Sequence, residues 1–157
     1  MASMRTTLLR DHTLRACHVV AILDALNGYY VIPGQEPAIS EKGAGANMSI
    51  DVGAFKYVLA GVFGETPSTT NVVIEAADAT NPRIDLIYVA ANGTISVLKG
   101  TAKAVKPVGE TTWQKWEEPY PADFSSTAGL ILAEVVVPAG ATTIVNAYIR
   151  NCAVALL

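Results

Sequence analysis

Residues 81–101, "NPRIDLIYVAANGTISVLKGT", constrain the fold more than any other stretch of the chain. Two runs of β-branched and aliphatic residues flank Asn92-Gly93, and an Asn-Gly pair between such runs is the strongest short-range hairpin signal. A two-residue type I′ turn is expected, with both residues at positive φ. In the first run Arg83 and Asp85 stand two residues apart and so share a face. Behind Pro82 they are placed to meet as a structural ion pair that locks the start of the strand. Ile84, Leu86 and Tyr88 take one face and Ile87 and Val89 the other, so the strand is apolar on both sides and belongs inside a packed assembly. No nucleophile or base stands beside the pair in sequence, and the pair is therefore read as structural rather than catalytic.

The rest of the chain beyond residue 47 has the same character. "MSIDVGAF", "KYVLAGVF", "NVVIEAA", "LILAEVVVP" and "TTIVNAYI" are short strand-like runs punctuated by Gly, Pro and Asn. Many short strands with no alternating helices predict a mainly β fold, an antiparallel β-sandwich of jelly-roll-like type. The N-terminal part differs. Ala16, Val19, Val20, Leu23 and Leu26 follow helical spacing over residues 6–26, and Asn27-Gly28 supplies a C-terminal stop. The valines and Ile22 lower helix propensity, so an extended strand is the alternative. Residues 31–49, with Pro33, Gly34, Pro37, Gly43 and Gly45, read as a linker-like loop. The expected organisation is an N-terminal helical or extended arm over residues 1–46, followed by a sandwich domain over 47–157.

Composition narrows the function. Of 157 residues only 16% are charged and 51% are hydrophobic, against about 25% charged in an ordinary soluble domain. Such a chain has too little charge to cover its own surface alone, which favours burial of apolar surface against other chains. The net charge is −3 and no basic run occurs, so nucleic acid is not an expected partner. Arg10, Asp11 and Arg15 precede the apolar run near the N-terminus and Asp24 interrupts it, which removes the pattern of a signal peptide or membrane helix. Cys17 and Cys152 form no C-x-x-C pair. Buried free thiols are the expected state, with a disulfide between them the alternative.

Few residues suggest chemistry. His12 and His18 lie six apart and make no metal pair, and no G-x-S-x-G elbow occurs. No catalytic residue, metal or cofactor is expected. The loop "TTWQKWEEPYPADF" collects Trp113, Trp116, Tyr120 and Phe124. Such aromatics are enriched in the cores of protein–protein interfaces, and with Val19, Leu23 and Leu26 they are the expected contact residues. The alternative is a carbohydrate-binding module that stacks host-surface glycans on the 111–124 loop.

Taken in order, "NMSIDVGAFKYVLAG", "NPRIDLIYV", "NGTISVLKGTAKAVKP" and "LILAEVVVPAGATTIVNAYIRN" resemble a β-sandwich module of bacteriophage virion proteins, notably the N-terminal modules of baseplate and tail-fibre proteins. The resemblance spans about residues 47–151. It departs at Arg150-Asn151, where the family tends to have an aspartate then an arginine, and in the longer aromatic loop. It departs also in stopping just after the module, and the expected protein is therefore a free-standing, non-enzymatic virion structural protein, a capsid decoration or tail or baseplate component assembled in a host cytoplasm. The implied partners are copies of itself, as a trimer or hexamer, and other virion proteins, with no nucleic acid and no membrane.

Overall fold

Two strands form the spine of the molecule because their sequences are aliphatic on both faces. Gly129–Val137 pairs antiparallel with Arg83–Ala90 along its whole length, and most residues of both are buried. The computed structural model describes residues 25, 27–43, 45, 47–103 and 129–153. Within them the strands are β1 (Tyr30–Val31), β2 (Ile39–Glu41), β3 (Ser49–Val52), β4 (Phe55–Leu59) and β5 (Val62–Thr66), then β6 (Thr69–Val73), β7 (Arg83–Ala90), β8 (Ile95–Leu98), β9 (Gly129–Val137) and β10 (Ile149–Asn151). They form three sheets, ordered β1-β4-β5, β10-β9-β7-β8 and β2-β3-β6. Every pairing is antiparallel. The chain is mainly β, in a sandwich-like arrangement.

The core lies where the inner face of the four-stranded sheet meets β3 and β4. Ile87 and Val89 of β7 and Leu130, Val135 and Val137 of β9 pack with Ile50, Val52, Phe55 and Tyr57. Burying one such aliphatic side chain contributes about 1.5–3 kcal/mol. The Phe55 and Tyr57 rings lie 5.4 Å apart between centroids, tilted by 40°. Register shifts between Ile87 and Tyr88, leaving Leu132 as an extra residue on β9. That bulge turns the Leu132 carbonyl toward the chain's end, where it accepts from the Cys152 and Ala153 amides at 2.9 and 3.0 Å. A bulge aims backbone groups that a regular ladder would consume.

The structure corrects the linker expected over residues 31–49. Val31 pairs with Tyr57 and residues 39–41 pair with 50–52, so the sheets begin at Tyr30, ahead of the expected boundary at 46/47. Pro33 and Gly34 mark a tight turn rather than a flexible tether. The Gln35 amide donates to the Ile32 carbonyl at 2.9 Å, with Gly34 at φ +75°. Proline then glycine at the centre of a turn, the second with positive φ, is the type II pattern. Gly28 takes φ +81° and its amide bonds the Ala25 carbonyl at 3.1 Å, as the Asn27-Gly28 stop signal predicts. The remainder of the expected helix lies outside the described residues.

Two turns differ from their sequence reading. Val89 pairs with Ile95 and the Gly93 amide bonds the Ala90 carbonyl at 2.8 Å. The loop therefore has three residues, 91–93, and only Gly93 has positive φ. This is the type I turn with a following left-handed residue, not the two-residue type I′ turn. Asn92 instead accepts from the Thr94 amide at 3.0 Å, an Asx turn that holds it in an ordinary conformation. The two-residue type I′ turn occurs elsewhere, inside the strand-like run "KYVLAGVF". Leu59 pairs with Val62, and Ala60 and Gly61 between them have φ +50° and +80°. An alanine there is strained by about 1 kcal/mol, because its Cβ crowds the carbonyl in the left-handed region. Ala60→Asn is expected to raise the unfolding free energy by a few tenths to about 1 kcal/mol, since asparagine is favoured in that turn. Urea unfolding checks the gain. The last expected strand, "TTIVNAYI", is also reduced: a 3-10 turn spans Asn146–Tyr148 and β10 starts only at Ile149.

Candidate functional site

The charged pair at the head of β7 forms as its spacing predicts, and the structure gives it more partners than the sequence could. Arg83 and Asp85 point to the core side of the sheet and are 2% and 0% exposed. Arg83 grips Asp85 with two donors, Nε to Oδ1 at 2.9 Å and Nη2 to Oδ2 at 3.1 Å. Nη1 also donates to the Ala76 carbonyl at 2.7 Å, and Nη2 donates to the Glu75 carbonyl. Asp85 Oδ1 accepts from the Gly100 amide at 2.8 Å. One planar guanidinium thus ties the segment after β6 to β7, while its carboxylate ties β7 to the chain leaving β8. Bidentate geometry of this kind fixes position as well as charge. The arrangement is a three-segment lock, in which every nitrogen of the guanidinium and both carboxylate oxygens bond within the protein itself.

Polar groups around this lock brace it from outside. Lys99 bonds the Glu75 carboxylate, and that hydrogen bond, with the lysine charge, holds Glu75 below its ordinary value. Asp78 accepts from the Thr80 and Asn81 amides at 2.9 and 2.8 Å and from the Thr80 hydroxyl at 3.1 Å. Those bonds favour the ionised form and lower its pKa below 3.8. A carboxylate with a depressed folded-state pKa contributes stability above its unfolded pKa and loses it as pH falls through the folded one. Asp78→Ala is therefore expected to lower the thermal midpoint at neutral pH. Its curve should converge on that of the parent as the pH falls through the lowered pKa of Asp78, where the parent loses the charge that the variant lacks. Thermal melts between pH 2 and 7 make the comparison.

Among the described residues three large hydrophobic side chains are exposed, Val73 at the end of β6 and two neighbours on β5. Val62 and Phe63, at the start of β5, are 69% and 60% exposed. Among the described residues β5 is an edge strand of its sheet. Its inward side is shaped around Tyr57, whose ring lies across Gly64: a Cβ on Gly64 would sit 2.5 Å from the ring carbons. The same ring reaches toward Gly93, and the Thr66 hydroxyl donates to the Gly93 carbonyl at 3.0 Å. Tyr57 and Thr66 so anchor the β4–β5 hairpin to the β7–β8 loop and leave Val62 and Phe63 standing out. On the outward side Lys56 and Glu65 sit opposite one another in register, 3.8 Å apart.

Other expected contact residues, Val19, Leu23, Leu26, Trp113, Trp116, Tyr120 and Phe124, lie outside the described residues. Cys152 is disulfide-bonded rather than the free thiol expected. The sequence holds one other cysteine, Cys17, which lies outside the described residues. Among the described residues no group of three or more His, Cys, Asp or Glu is placed to hold a metal ion, and no helix is long and apolar enough to cross a membrane. No protein-family model matches the chain, nor does any curated protein or solved structure.

Proposed function

We propose that this chain is a non-enzymatic structural subunit that works by associating with copies of itself and with other proteins of a phage virion. The observation that carries the reading is the exposure of Val62 and Phe63 on β5, an edge strand among the described residues. Natural sheets blunt their edges with charge, proline or bulges because an unpaired edge recruits other strands. A chain with 16% charged residues that leaves two large apolar side chains on such an edge is suited to having that edge covered. The Arg83–Asp85 pair supports the same reading from the other side, since its polar capacity is spent on three segments of the same chain. The virion setting rests on the ordered motifs from "NMSIDVGAF" to "NAYIRN" and on their resemblance to virion β-sandwich modules.

Co-expression of tagged and untagged copies tests self-association. Retention of untagged chain with the tagged one is the expected result. Untagged chain that washes through at every expression level would overturn it.

A further inference from the structure

Resting on the self-association reading, we infer that two copies pair edge to edge through β5, antiparallel about a twofold axis at Gly64. The backbone fixes this register. Leu59 and Val62 flank the two-residue turn as a hydrogen-bonded pair, so Val62, Gly64 and Thr66 direct their N–H and C=O groups to β4. Phe63 and Glu65 direct theirs away from the sheet. Two outward-facing residues separated by one are self-complementary under a twofold axis at the residue between them. Phe63 of each copy then faces Glu65 of the other, each pair exchanging both of its backbone hydrogen bonds.

Side chains agree with that register. Phe63 lies between its own Val58 and the other copy's Glu65, whose charge is already balanced by Lys56. No like charges stand directly opposite, which would oppose pairing. At the axis Gly64 meets Gly64, so nothing obstructs the approach, and Tyr57 fills the space beneath it. The other described edges are less suited. β1, β2, β8 and β10 have two, three, four and three residues. β6 carries Asn71 at φ +61° beside a break in register, the kind of bulge that protects an edge. β5 offers five residues in unbroken register.

An isologous contact has a numerical consequence. Twofold pairs build a dimer or a dihedral assembly such as a tetramer or hexamer, whereas a cyclic trimer contains no twofold axis. Glu65→Pro tests the contact, because proline removes an outward N–H and is tolerated where an edge strand faces solvent. The parent should have an even-numbered mass, and the variant should have half of it while still unfolding cooperatively. An odd-numbered parent, or a variant of unchanged mass, would overturn the contact. Should the variant fail to fold, amide exchange in the parent decides. Paired edges protect Phe63, Gly64 and Glu65 alike, whereas a free edge gives fast exchange at Phe63 and Glu65 and slow exchange at Gly64. That alternating pattern in an even-numbered oligomer refutes the β5 contact alone. A parent that stays monomeric at every concentration refutes both the contact and the self-association beneath it.

Discussion

Arg83→Met is expected to cost the fold about 3–5 kcal/mol, the usual effect of leaving one member of a buried ion pair without its partner. Asp85 is fully buried, and without the guanidinium its carboxylate keeps only the Gly100 amide. The Glu75 and Ala76 carbonyls lose their donors too, but both residues are exposed and water can replace what they lose. This separates the two sources of the loss. In the double variant Arg83→Met with Asp85→Leu no buried charge is stranded, so it should be more stable than the single variant. Replacing both members of a buried pair by apolar residues is often near neutral. Urea unfolding of the three proteins gives the comparison. A single variant within about 1 kcal/mol of the parent would mean that the lock contributes little, since typical domain stability is only about 5–15 kcal/mol.

Gly129→Ala is expected to have a loss of similar size for a different reason. Gly129 opens β9 opposite Ala90 and takes φ +149°. A methyl group there would lie 2.0 Å from the Val89 carbonyl oxygen and 2.9 Å from the Val89 carbonyl carbon. Both are backbone atoms of the central strand, so no rotamer change relieves the contact. Overpacking and an unfavourable φ together amount to about 3 kcal/mol or more. The substitution should act on the β7–β9 pairing itself, and amide exchange at Val89 and Ala90 should quicken more than exchange in β3. An alanine variant with the parent's thermal midpoint would contradict this geometry.

The contrast between these residues shows what the sequence could disclose. The i, i+2 spacing of Arg83 and Asp85 predicts their meeting, because alternation on a strand is a local property. Their three further partners, the carbonyls of Glu75 and Ala76 and the amide of Gly100, come from segments whose approach is set by tertiary packing. Strand-like runs around 83–90 and 129–137 were legible from their β-branched residues. Ala60-Gly61 was not, because alanine is a poor occupant of a type I′ turn and the surrounding apolar residues read as one strand. β1 and β2 were hidden by the prolines and glycines that flank them, which mark tight turns as readily as linkers. Asn92-Gly93 did mark a hairpin, yet the dipeptide suits both a two-residue loop and the three-residue loop found.

The exposed edge was illegible for a deeper reason. Alternation tells which residues of β5 share a face, but not whether a neighbouring strand lies beyond it. Phe63 reads in sequence as an ordinary strand aromatic, and only the order β1-β4-β5 places it at a border. The turn at Ala60-Gly61 also decides the matter, since it fixes which backbone groups of β5 face away from β4.

Copies of this chain are proposed to cover one another's apolar surface. The absolute mass of the purified protein, measured by light scattering after size exclusion across a dilution series, tests that most directly. The expected mass resists dilution and equals an even multiple of the 16.5 kDa chain. The mass of a single chain at every concentration would contradict it.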